Sequence, residues 1–114
     1  MTKLRMQFTF DDEGLRRNGF DRAGMYDMLK KNFTKRGLKC VSDDEVLAFE
    51  DQGNKSDYGH MWGLTLTLME YDWFTDSAAS IIYFQNGLAE DVLVQLPRMK
   101  EIMERNKPGR GYGR

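Results

Sequence analysis

The sequence predicts a single α+β domain, and three observations predict it. Stretches with a two-residue apolar period alternate with stretches whose apolar residues recur every three or four positions. A chain of 114 residues is the length of one domain with one core. A single cysteine, Cys40, and the lack of any Cys/His cluster exclude an internal disulfide or a structural zinc, so apolar packing must hold the fold.

Taken in order, Leu4, Met6, Phe8 and Phe10 alternate with Arg5, Gln7 and Thr9, the pattern of a half-buried strand, which stops at Asp11-Asp12. A loop, EGLRRNGF, is expected next. Asp21 can then cap a helix with Met25, Met28, Leu29 and Phe33 on one face and Gly37 just past its end. LKCV and EVLAFED flank the turn-forming SDD, which predicts a hairpin of two short strands.

From Ser56 or Asp57 to Trp73 the chain is ambiguous, because Trp62, Leu64, Leu66 and Leu68 also alternate as in a strand. Length decides for a helix: Tyr58, Met61, Trp62, Leu68, Met69 and Trp73 make a wide stripe over a segment too long for an ordinary strand. ASIIYFQ reads as a buried strand and Asn86-Gly87 as a turn. AEDVLVQL through MKEIMER reads as a last helix, kinked at Pro97.

Strand, helix, strand, strand, helix, strand, with a helix appended, is the split βαβ or ferredoxin-like order. It places residues 1–97 in one domain and leaves 98–114 as a basic helix end and flexible tail. In that arrangement the first and third strands are antiparallel neighbours and right-handed crossovers put both helices on one face. Asp11 and Asp12 are therefore expected at the same edge as Ser42, Asp43, Asp44 and Glu45.

Charge and composition narrow the function classes. The net charge of −1 hides six basic against two acidic residues in 98–114, leaving eleven against sixteen before them. A basic end on an acidic body suits contact with phosphate; a frayed, merely soluble terminus reads the same way. No apolar run approaches a membrane span, and the N-terminus lacks a signal-peptide core, so a cytoplasmic protein is expected.

Five carboxylates at one edge have two readings. Asp is common in turns because it bonds its own backbone; crowded carboxylates also bind hard cations and serve as general acids or bases. Asp11 is the sharpest candidate, since it follows the inward-facing Phe10 at a strand end. Asp11, Asp12 and Asp44 are the candidate ligands for Mg²⁺ or Mn²⁺. His60 has no Cys or His partner, Cys40 alternates with Leu38 as a small apolar residue, and GRGYG has no strand before it or helix after it, so none of the three makes a site.

FTFDD, MYDMLKKNFTKRGLKCV, EVLAFE and MEYDWFTDSAASIIYFQNGLAEDV, spread over residues 5–96, resemble the virulence-associated protein D family. The resemblance implies a small ferredoxin-like endoribonuclease, structurally akin to the small nuclease subunit of CRISPR adaptation. It further implies a homodimer, often paired with an antitoxin protein. By position, Asp11 matches the family's aspartate after the first strand, its candidate for catalysis, and Trp73-Phe74 match a pair ending the second helix, read as core packing. Ser42 to Asp44 stand where the family has a Gln-Gly-Ser turn; its glycine and serine are replaced by Asp43 and Asp44, which makes a small turn anionic. Carboxylates alone repel RNA, so cations must assist: Arg16 and Arg17, Lys35 and Arg36, and Arg110 and Arg114 with Tyr112 between them to stack on a base. A noncatalytic dimeric module binding protein or nucleic acid is the second expectation.

Overall fold

The structure is a computed structural model and describes residues 3–94. Its elements are β1 (Leu4–Phe10), α1 (Asp12–Arg17), α2 (Arg22–Lys35), β2 (Lys39–Asp43), β3 (Leu47–Glu50), α3 (Asp57–Met69), α4 (Asp72–Thr75), β4 (Ala78–Gln85) and β5 (Leu88–Asp91). The strands form one sheet in the order β2-β3-β1-β4-β5, and every neighbouring pair is antiparallel. The fold is α+β and compatible with the ferredoxin-like class.

β1 is central because its even positions are all apolar: Leu4, Met6, Phe8 and Phe10 are buried and the residues between them only half so. Those side chains meet Met25, Leu29 and Phe33 of α2 and Met61, Leu68 and Met69 of α3 in one core, so both long helices cover the same face of β1. Phe8 is the hub. Its ring lies 5.7 to 6.4 Å from those of Phe10, Phe33, Phe49 and Phe74, in stacked, tilted and edge-on geometries that aromatic pairs favour.

The helix ends follow their local chemistry. Asp21 caps α2, its Oδ1 accepting from the Gly24 N–H at 2.7 Å, and Gly37 supplies the left-handed residue, φ +91°, beyond the C-cap Arg36. The second long helix is α3, as length predicts, but it ends at Met69 rather than running to Trp73, which lies on the separate α4, and Ser56 at its N-cap makes no side-chain cap bond. Instead the buried Asp57 carboxylate braces the preceding loop, its Oδ2 accepting from Gln52 N–H at 2.7 Å and Asn54 N–H at 3.1 Å. His60 Nδ1 lies 3.1 Å from the Arg36 carbonyl, which can only accept, so the ring donates there to the end of α2.

Three further expectations are corrected. EGLRRNGF is not a loop: Asp11 caps a helix with Asp12 and Glu13 in its first turn and Arg16 and Arg17 in its last, charges that suit the helix dipole. The β2–β3 hairpin bends at 44–46 rather than at SDD, because β2 extends through Asp43, paired with Leu47. The segment after Asn86-Gly87 begins as β5, not as helix. Both turn residues have positive φ, 54° and 82°, the conformation of a two-residue hairpin turn, and this returns Leu88 to Asp91 onto the edge of β4. Residues 92–94 are helical. Pro97 and the basic segment 98–114, with Arg110, Tyr112 and Arg114, lie outside the described residues. Among the described residues no helix is long and apolar enough to cross a membrane.

Candidate functional site

β1 pairs with β3 as far as Phe8 opposite Leu47 but with β4 as far as Phe10 opposite Ala78. Asp11 therefore leaves the sheet on the β4 side, where its N–H donates to the Ser77 carbonyl at 2.8 Å. Its exposed carboxylate caps α1, Oδ2 accepting from the Gly14 N–H at 2.8 Å, and among the described residues no donor reaches the other oxygen. That oxygen is open to solvent or substrate at the end of a central strand, a rigid place to hold a reacting group.

The neighbours of Asp11 come from the junction of α4 and β4. Arg17 donates to Asp76 through both Nε, at 3.2 Å, and one terminal nitrogen, at 3.1 Å. Asn18 Nδ2 donates to Asp76 Oδ2 at 2.8 Å and to the Gly14 carbonyl at 2.6 Å. These bonds hold the Asp76 carboxyl below the usual carboxylate range, Arg17 first and Asn18 second. The same hydrogen bond and charge raise the Arg17 guanidinium, to which the fields of Asp11 and Glu13 add. Arg17 is thus a cation near Asp11, but one already shared with Asp76.

Packing here leaves no spare room. A Cβ on Gly14 would lie 2.3 Å from the Asp76 carbonyl oxygen, so glycine is what lets α1 lie directly on the chain at residues 76–77. The buried Ser77 hydroxyl sits 2.7 Å from the Trp73 carbonyl and 3.3 Å from that of Gly14, tying α4 to α1.

The other candidate acids are at the same end of the sheet but spoken for. Asp12 accepts from Arg22 at 2.8 Å and Asp43 from Lys30 Nζ at 3.1 Å. Asp44 closes its own hairpin: the Val46 N–H, the Ser42 hydroxyl and the Glu45 N–H favour its charged form and put its carboxyl below the usual range. Tyr26 stands between the two sets, its ring 6.1 Å from Phe10 and its hydroxyl donating to the Asp44 carbonyl at 2.8 Å. Burial, more than the field of Arg22, decides the Tyr26 phenol and raises it, so it stays a donor. Among the described residues no three His, Cys, Asp or Glu side chains come close enough to share a metal ion. Asp11, Asp12 and Asp44 are therefore not gathered into one ligand set.

A groove of about 500 Å³ runs between α1 and the start of α2, lined by Arg16, Gly19, Phe20, Asp21 and Gly24. Arg16 is its only cation among these residues and is held loosely, 4.0 Å from Glu13 with both side chains about 70% exposed. Sequence reasoning found Asp11, Arg16 and Arg17 but missed Asn18, Phe20, Asp76 and Ser77. The TDS preceding the last long strand was the available signal, a polar cluster where a strand must begin.

Trp73 and Phe74 divide. Phe74 is fully buried against Phe8 and Phe10, as core packing predicts, whereas Trp73 is only half-buried, between Phe20 at 5.2 Å and Tyr71 at 5.4 Å. Cys40 is half-buried, and burial raises its thiol, which suits a small apolar residue rather than a nucleophile. No protein-family model matches the chain, and no curated protein matches it.

Proposed function

We propose that this protein is a cytoplasmic ferredoxin-like endoribonuclease of the virulence-associated protein D type, with Asp11 as the reacting carboxylate. In support of the scaffold, the order β2-β3-β1-β4 with antiparallel neighbours is what a split βαβ chain produces. The observation that carries the activity is the Asp11 carboxylate itself. One oxygen is fixed by the Gly14 N–H, and the other has no donor among the described residues, with the Arg17 guanidinium near enough to feel its charge.

Asp11 acts as general base, taking the proton from a ribose 2′-hydroxyl or a water as that oxygen attacks phosphorus and the bond from phosphorus to the leaving ribose oxygen breaks, that oxygen taking a proton from solvent; a positioned base of this kind is worth roughly 10²- to 10⁴-fold in rate. Arg16 offsets charge on the phosphate, while Arg17, paired with Asp76, keeps α1 in place. The donor set does not make a resident metal site, because Asp12, Asp43 and Asp44 are each engaged elsewhere. Alternatively the open Asp11 oxygen would, in place of acting as base, help to hold a Mg²⁺ or Mn²⁺ ion. Its contribution would be neutralisation of charge at phosphorus. A second copy and an antitoxin protein complete the proposed partners.

The engagement of those three acids also favours a second reading, a noncatalytic dimeric module binding protein or nucleic acid on the same scaffold. Purified protein incubated with a structured RNA, with and without Mg²⁺ or Mn²⁺, beside Asp11→Asn separates the two. Cleavage lost in the variant supports the enzyme. Equal cleavage by both forms marks a contaminating nuclease and removes it.

A further inference from the structure

Trp73 is the middle ring of three. Phe20 packs on it at 5.2 Å with planes 31° apart, and Tyr71 stacks on it at 5.4 Å with planes 26° apart. The ladder crosses the molecule's surface: Phe20 and Trp73 are half-buried and Tyr71 is 49% exposed. At the Phe20 end it opens into the groove beside α1, where Phe20 lines both the main volume with Arg16 and the adjoining one with Asp12 and Arg22. Gly19, at φ +81° and with nothing within 4 Å of a Cβ position, leaves the mouth open.

We infer that this groove is a subsite for one unpaired nucleobase of single-stranded RNA, stacked on Phe20 with the adjoining phosphate on Arg16. The inference deepens the nucleic-acid reading above and rests on it. Three features select this ligand. A planar ring backed by a second aromatic offers a π-face, on which any base stacks. Arg16 is an exposed guanidinium held only loosely by Glu13, so a phosphate can take it without breaking a tight pair. Asp21 lines the groove and bonds the Gly24 N–H through one oxygen; its carboxylate would repel a phosphate placed deep and suits the N–H edge of a base.

The test is fluorescence anisotropy of a labelled twelve-nucleotide single-stranded RNA, with 2′-O-methyl groups that remove the 2′-hydroxyl nucleophile and its intactness checked on a gel, with its blunt duplex as competitor. The wild type should bind the single strand saturably and the duplex weakly. Arg16→Ala and Phe20→Leu should each weaken binding about fivefold or more, the lower end for loss of one base stack, while Phe20→Trp restores it. Leucine keeps most of the apolar volume against Trp73, so a loss of binding in Phe20→Leu with unchanged thermal unfolding reports the ring face rather than the fold. Equal binding by Phe20→Leu, no binding by the wild type, or equal competition by the duplex would overturn the subsite. A wild type that binds through Phe20 yet never cleaves unmethylated RNA would sink the nuclease and leave the subsite standing; cleavage unaffected by Phe20→Leu would do the reverse.

Discussion

Gly14 shows how one residue sets the candidate site. Its N–H orients the Asp11 carboxylate, its carbonyl receives Asn18, and its missing side chain admits the Asp76 carbonyl, which would stand 2.3 Å from a Cβ. Because the neighbour is backbone rather than a flexible side chain, Gly14→Ala must push α1 off the α4–β4 junction. The expected loss is about 1–3 kcal/mol, as for other overpacked sites, read as a lower urea midpoint; an unchanged midpoint would mean that α1 is not docked as described. Asp11→Asn is the contrasting change. Asparagine caps a helix as well as aspartate, so the fold should persist while the base is lost. Asp11 was legible in the sequence as the polar residue at the exit of an alternating strand. Asn18 and Asp76 were not, since 58 residues separate them and neither side chain signals a partner by type.

At the level of elements, two ties can be tested separately. The Arg17–Asp76 pair pins α1 to the start of β4, and the lowered Asp76 carboxyl fixes its pH dependence. A depressed folded-state value gives stability that is present above the ordinary carboxylate range, near 3.9, and lost as pH falls through the lowered value. Wild type should therefore exceed Asp76→Asn in urea midpoint at pH 7, with the gap closing as pH falls below the ordinary carboxylate range; a gap constant with pH would show that the charge contributes nothing. Phe8 ties the sheet to α2 and α4 by packing alone. Phe8→Ala should cost about 3–5 kcal/mol, the range for a buried aromatic truncated to alanine, at all pH values. β1, α2 and α3 were readable because apolar periodicity, caps and length agreed there. β5 was not: Leu88-Ala89-Glu90-Asp91 has little strand character, and the Asn86-Gly87 turn with the free hydrogen-bonding edge of β4 overrode it. α1 was hidden by Gly14, which reads as a loop residue until its packing is seen.

Across the whole molecule, one core covers one face of the sheet and the loops at the far end of β1 carry the polar chemistry. The sequence correctly brought distant acids to the same end, but it could not show that each carboxylate has its own local partner. Asp44 bonds its turn, Asp43 holds Lys30 and Asp12 holds Arg22, all short-range matters of side-chain geometry. Asp11 is an exposed carboxylate at a rigid strand end with one oxygen open and Arg17 near it, and the proposed reaction depends on that group. The most direct measurement is the single-turnover cleavage rate of one structured RNA by wild type and Asp11→Asn, both shown to unfold at the same urea midpoint. A fall of about 100-fold or more in the variant is expected for loss of a positioned general base; equal rates from two equally folded proteins would contradict it.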